Sequence, residues 1–352
     1  MSIQSKAAVI VDKGKVEVKT ITIPEPKQGE VLVRQKAAAL CTLEQRFFTG
    51  VFPVYPGVWG HEVSGIVEAI GPNTYTPLKV GDHVARGCGS ACDECYFCAI
   101  GQDAKCEVEK MRLKAQQKSD REDGIMGIFG LSEYSVVDPR NLVQISKEIP
   151  FEQAALSEPV ACAVSSANKL DIQLGQTVVV IGAGAMGIAN ILVSKYQGAF
   201  VVASELDEQR RQKALNAGAH AVLNPNLGDI GQQLKDINEG RLADVVIVTI
   251  GLEQANKQAM ELVAPNGKVM LFASAHPAVP LSIDPNVIHR SGITITGSTS
   301  KNRKDLYQAS LLIGKKIISV ETMIEKVFPL EQAQLAFEMA IQPQNYRIVL
   351  SM

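Results

Sequence analysis

The sequence lacks an excess of either charge. Its 35 Lys and Arg face 37 Asp and Glu, for a net charge of −2 and a pI near 6.3. That balance offers no electrostatic footprint to DNA, RNA or an anionic membrane. Any run of about eighteen apolar residues is also missing, so no membrane-spanning helix is expected. The opening MSIQSKAAVIVDKGK puts a lysine before a short apolar run that Asp12 interrupts, which is not a secretion signal. Internal repeats and low-complexity tracts are absent. What remains is a cytoplasmic globular protein, with neither nucleic acid nor membrane expected as partner. Hydrophobic residues make up 46% and charged residues 20% of 352 positions, enough for two domains and a sizeable core.

The first part of the chain reads as β-rich. AAVIV, KVEVKTITI, EVLVRQKAAAL, SGIVEAIG and SEYSVVDP are strand-like runs, punctuated by PEPKQG, YPGVWG, GPNT and VGD. Helical periodicity returns only at EQAALSEPVACAVSSANKL. From there strands and helices alternate: TVVVIG, AMGIANILVSKYQ, AFVVASE, LDEQRRQKALNAGA, ADVVIVTIG, an APNG turn with KVMLFAS, and GITITGS. That alternation predicts an α/β fold with a parallel, doubly wound sheet. The closing NYRIVLS fits the β-rich part better. A β-rich domain of residues 1–156 and 298–352 is therefore expected, with a nucleotide-binding domain of residues 157–297 inserted into it.

Four of the seven cysteines, Cys92, Cys95, Cys98 and Cys106, fall in one stretch, CDECYFCAIGQDAKC. The spacing C-x2-C-x2-C-x7-C lets thiolates from one turn share an ion while a return cysteine closes a tetrahedron. In a reducing compartment a metal cage is favoured over disulfides, and zinc over an iron–sulfur cluster or bare redox thiols. Four thiolates leave no open position, so this zinc is structural and its lobe spans residues 88–107. Cys88 reads as a spare buried thiol.

The chemistry must then lie elsewhere. Cys41 stands in AALCTLEQRFFTG, His61 and Glu62 in GVWGHEVSG, and Glu158 in LSEPVAC. Singly, each is more often core or helix cap than ligand. Together they offer a thiolate, an imidazole and carboxylates, which suit an open catalytic zinc. VVVIGAGAMG sets Gly182, Gly184 and Gly187 straight after an apolar strand and at the head of a helix, the context that makes G-x-G-x-x-G a dinucleotide loop. Glu205 ends the next strand, where a carboxylate bonds the ribose 2′-hydroxyl and favours NAD over NADP. Arg210 is read as bordering the adenine pocket and Arg211 as solvated.

The order of Cys, G-H-E, four-cysteine lobe, E-P and G-x-G-x-x-G resembles the zinc-dependent medium-chain alcohol dehydrogenase superfamily over nearly the whole chain. A glutamate at position 158 makes it more similar to the sorbitol and threonine dehydrogenase branch. The resemblance implies a GroES-like catalytic domain around a Rossmann domain. It also implies two zinc ions and NAD, with Gly182, Gly184, Met186, Gly187, Glu205 and Arg210 holding the cofactor. Cys41, His61 and Glu158 become the implied ligands of the catalytic zinc, with Glu62 a direct or an exchange ligand. The choice between the two glutamates stays open. The implied reaction is reversible oxidation of a polyol or other secondary alcohol in a cleft between the domains. A threonine, amino-alcohol or phosphorylated polyol substrate is the alternative, as is an impaired homologue that only binds NAD. Similar proteins are dimers or tetramers, and GITITGS would be the pairing edge.

The family usually carries Ser or Thr two residues after the first cysteine, then Asp. Here Leu43 and Glu44 stand there, so the usual hydroxyl relay is absent and Glu44 becomes the orienter or relay. Cys162 is an alternative ligand to Glu158. Phe47, Phe48, Phe52, Tyr55 and Trp59 wall the substrate or simply pack as core. Lys301, Arg303 and Lys304 form an anion-binding stretch or, on the plainer reading, a solvated loop. His83, His220, His276 and His289 are read as ordinary.

Overall fold

A computed structural model describes residues 2–87, 91–115 and 121–352; Cys88 lies outside the described residues. The chain divides into two compact units, Met1–Ala161 with Lys301–Met352, and Cys162–Ser300. No helix among the described residues is long and apolar enough to cross a membrane.

In the first unit, the strand Val31–Ala39 is the hub of a sheet. It pairs antiparallel with Glu62–Ile70, with Tyr134–Val137 and with the C-terminal strand Arg347–Ser351. Ala39 faces Glu62 across one side and Val349 across the other. Antiparallel register then carries Arg347, two residues before Val349, to the Cys41 end of the hub strand. Pairing alone thus gathers positions 41, 62 and 347. A second sheet joins Ile3–Asp12 to Lys15–Ile23, where Ile21 and Ile23 are buried in alternation with exposed Thr20 and Thr22. Ile10, Leu32, Leu40, Leu131 and Phe337 are wholly buried in the core beneath.

The second unit is a parallel six-stranded sheet. Its order from edge to edge is Ala221–Leu223, Phe200–Ser204, Thr177–Ile181, Ala243–Val248, Val263–Leu271 and Thr294–Gly297. This is the doubly wound order 3-2-1-4-5-6. The first strand, TVVVI, is buried along its whole length. That is why it reads as a continuous apolar run rather than an alternation.

One local expectation differs from the structure. Helical periodicity is expected only from EQAALSEPV onward, yet the segment after Cys41 is already helical over Thr42–Phe48. At seven residues it is too short to show a period. The APNG turn lies inside the element Val263–Leu271, with Asn266 at φ 59°. Ala243 pairs with Val263 while Val245 pairs with Lys268, so the intervening residues have no opposite number.

Candidate functional site

The four lobe cysteines bring their sulfurs together, all within 4.8 Å of one another. Cys95 Sγ lies 3.6 Å and Cys92 Sγ 3.9 Å from Cys98 Sγ. A tetrahedron with Zn–S bonds of about 2.3 Å has edges of about 3.8 Å, so the set fits one zinc ion. Backbone N–H groups turn toward the sulfurs as they do toward thiolates: Cys95 N donates to Cys92 Sγ at 3.2 Å and Glu109 N to Cys106 Sγ at 3.4 Å. Donation from the Glu107 backbone pulls the Cys95 thiol down to about 6. All four cysteines are free of disulfides.

A second group joins Cys41, His61 and Glu62, whose ligand atoms also lie within 4.8 Å of one another. Cys41 caps the helix Thr42–Phe48, and Glu62 opens the strand paired to the hub. Between them the chain turns at Gly60, with φ 98° and no room for a Cβ, which would meet the Gly130 backbone at 2.8 Å. Glu44 is fully buried beneath. Its carboxylate accepts from Cys41 N at 3.1 Å, Gly60 N at 3.1 Å and His61 Nδ1 at 2.8 Å. One side chain therefore ties both ligand segments together. With Nδ1 carrying the proton, Nε2 is left as a donor atom.

Two buried cations complete the cluster. Arg347 forks onto Glu62, Nε to Oε2 at 2.9 Å and Nη2 to Oε1 at 2.8 Å, and Nη2 reaches Cys41 Sγ at 3.5 Å. Each carboxylate oxygen keeps a second lone pair beyond those bonds. Lys301 Nζ meets Glu158 Oε1 at 2.5 Å, with both side chains buried. Glu158 stands outside the trio but feels the charge of His61 and Arg347. Burial and the nearby Glu62 push the Cys41 thiol up. Burial works to lower the His61 pKa, but the Glu44 carboxylate and the Cys41 sulfur outweigh it and hold the imidazole well above its usual range. A group with a raised pKa keeps its proton to higher pH, and a metal must displace it. Zinc uptake at this trio is therefore expected to strengthen as pH rises, in competition with a chelating dye across a pH series.

The two lysines and the arginine of residues 301–304 correct the plainer reading. Lys301 is not in a solvated loop, because burial and Glu158 enclose it. Arg303 pairs with Asp93 at 2.6 Å, and only Lys304 is simply exposed. Arg211 is likewise not solvated: it is buried, donates to the carbonyls of Glu205 and Leu206, and pairs with Glu208. The aromatic residues Phe47 and Trp59 stack at 4.0 Å in the core, with Phe48 against Phe337. Leu43 packs against the same core. Among the described residues, Cys162 joins neither group. His220 Nδ1 accepts from Val201 N, a structural role. Sequence reasoning missed Arg347 and the pairing of Lys301 with Glu158. The signal for Arg347 was a lone cation in the otherwise apolar strand RIVLS.

In the second unit, Gly182 follows the strand Thr177–Ile181, and Gly184 caps the helix Ala185–Tyr196, in whose first turn Met186 lies. A Cβ on Gly187 would sit 2.0 Å from Gly182 O, so only glycine lets this helix close on the strand. A Cβ on Gly184 would meet nothing within 4 Å, which leaves backbone N–H groups open to a pyrophosphate. Buried Glu205 accepts from Ala183 N at 2.8 Å, Leu206 N at 2.8 Å and Asp207 N at 3.1 Å. It is thus fixed beside the glycine loop. Arg210 is half-buried in the first turn of the next helix.

Residues 27–147 match the family model of the alcohol dehydrogenase GroES-like domain, and residues 185–315 that of zinc-binding dehydrogenases. An alcohol dehydrogenase of Geobacillus stearothermophilus is 32% identical, covering 98% of this chain and 99% of its own. L-threonine 3-dehydrogenase of Pyrococcus furiosus is 30% identical over 95% of this chain and 94% of its own. The crystal structure of benzyl alcohol dehydrogenase from Acinetobacter calcoaceticus superposes with a TM-score of 0.89 at 25% identity, covering 99% of each chain. Motif order, two-unit architecture and these likenesses agree: the chain belongs to the zinc-dependent medium-chain alcohol dehydrogenase superfamily, in its threonine and sorbitol dehydrogenase-like branch, and is an oxidoreductase.

Proposed function

We propose that the protein oxidises a polyol or other secondary alcohol to the ketone, reversibly, with NAD as hydride acceptor. The observation that carries this reading is the trio of half-buried Cys41 with buried His61 and Glu62, pinned by Glu44. Cys41, His61 and Glu62 would hold a catalytic zinc, and Cys92, Cys95, Cys98 and Cys106 a structural one. Zinc, when bound, supplies a Lewis acid that lowers the pKa of the alcohol hydroxyl, and NAD takes the hydride. Glu44 fixes the tautomer and angle of His61. Arg347 balances the charge of Glu62 and the Cys41 sulfur. Leu43, half-buried and packed against the core, moves no proton.

A Glu44→Gln variant keeps the shape but weakens the grip on His61. Zinc affinity at this site is expected to fall about 10–100-fold, measured by chelator competition. For the cofactor, Glu205 supports NAD, since a carboxylate at the strand end repels a 2′-phosphate. Glu205→Ala is expected to lower kcat/KM for NAD about tenfold, in steady-state assays, and to raise it for NADP. A dimer or tetramer is proposed through the strand Thr294–Gly297, an edge of its sheet.

L-threonine is the second reading, favoured by the 30% identity to the Pyrococcus furiosus enzyme. Absorbance of NADH with a panel of polyols, secondary alcohols, L-threonine and sugar-alcohol phosphates separates these substrates. Chelator-sensitive turnover of polyols or simple secondary alcohols is the expected result. Turnover confined to L-threonine replaces the first reading with the second.

A further inference from the structure

The mechanism proposed above leaves a buried cation of the second unit without a task. The helix Glu208–Ala217 turns Arg211, Ala214 and Ala217 inward, since residues three apart share a face. Two of the three are alanines. An arginine on such a face is costly to bury and holds there only with its donors well partnered. Its partners are concentrated on one turn. Nη1 donates to Glu205 O at 2.9 Å and to Leu206 O at 2.6 Å, and Nη2 pairs with the Glu208 carboxylate.

Those two carbonyls belong to two rigid peptide planes. The first plane also carries Leu206 N–H, and the second carries Asp207 N–H. Both N–H groups donate to Glu205 Oε1, at 2.8 and 3.1 Å. Each plane is therefore held at both ends, its C=O by Arg211 and its N–H by Glu205. The other carboxylate oxygen, Oε2, accepts from Ala183 N in the glycine loop at 2.8 Å. A carboxylate oxygen has two lone pairs. Oε1 uses both, and Oε2 keeps one. Its direction depends on the two planes, and the planes depend on Arg211.

We infer that Arg211 is a positioning residue for cofactor choice: it clamps both peptide planes and so aims the remaining lone pair of Glu205 at the ribose 2′-hydroxyl. The guanidinium, engaged by two carbonyls and Glu208, is not offered to a 2′-phosphate. This rests on the NAD reading given above.

The test titrates the full chain with NADH and with NADPH, following the fluorescence of the bound reduced nicotinamide, and needs no alcohol. Arg211→Met removes the donors and keeps an unbranched side chain on the inner face. NADH affinity is expected to fall about fivefold, while NADPH affinity holds or rises. In a Glu205→Ala background the same substitution is expected to cost NADH affinity nothing further, because Arg211 acts through that carboxylate. A merely structural role predicts equal losses for both cofactors, and that result overturns the inference. So does an NADH affinity unchanged by Arg211→Met, or a further loss of about fivefold in the Glu205→Ala background, which marks independent effects. If Arg211→Met does not fold, Arg211→Gln, shorter and uncharged but still polar, is read by the same criteria. A native chain that binds NADPH as tightly as NADH overturns the NAD reading as well. A native preference for NADH that survives these variants overturns this inference alone.

Discussion

Replacing His61 with alanine is expected to lower kcat/KM about a thousandfold and to remove one zinc per chain, leaving the cage loaded. A Lewis acid supplies several kcal/mol to the transition state, and about 4 kcal/mol corresponds to a thousandfold. The variant also strands Glu44. That carboxylate is fully buried and loses the imidazole it holds at 2.8 Å. An unpaired buried charge is strongly destabilising. The fall in thermal stability is therefore expected to shrink when Glu44→Gln is added, while activity stays low. Elemental analysis, steady-state kinetics and thermal unfolding on the single and double variants check this. A single variant that keeps both metals contradicts it.

The second large effect lies in the lobe. Between Ala91 and Cys106, both buried, every residue is exposed or only half-buried. So short a segment has no apolar core of its own, and its fold depends on the bound metal. Cys98→Ala is expected to lose the structural zinc, to loosen the backbone so that trypsin cleaves at the already exposed Lys105 and Lys110, and to lower Tm by about 5 °C or more. The same change frees Asp93 and Asp103 from their places, and with them the anchor of Arg303. Native trypsin resistance and zinc content in this variant contradict the account.

Much of this architecture was legible because it is local or periodic. KVEVKTITI reads as a strand and forms one over Lys15–Ile23. The alternating β–α tract reads as a doubly wound sheet and shows that order. Cysteine spacing points to a cage because its ligands are near in sequence. Residue type and motif order name Cys41, His61 and Glu158 as ligands, with Glu62 a direct or exchange ligand; the structure gathers the ligand atoms of Cys41, His61 and Glu62 within 4.8 Å and pairs Glu158 with Lys301 instead. The cations were not legible. Arg347 and Glu62 are 285 positions apart, and Lys301 and Glu158 are 143 apart. Their meeting depends on strand register and on the return of the chain to the first unit, which no local pattern records. Arg211 was misread for a related reason: in a charged run such as EQRRQK, sequence does not say which side chain folds back onto the carbonyls of Glu205 and Leu206.

The central claim is that a zinc ion on Cys41, His61 and Glu62 does the work. The direct measurement is the rate of NADH formation as zinc is returned, in steps, to protein stripped of its labile metal but still holding the cage ion. The account expects no turnover at one zinc per chain and a linear rise that breaks at two. Full turnover with only the cage occupied would contradict it.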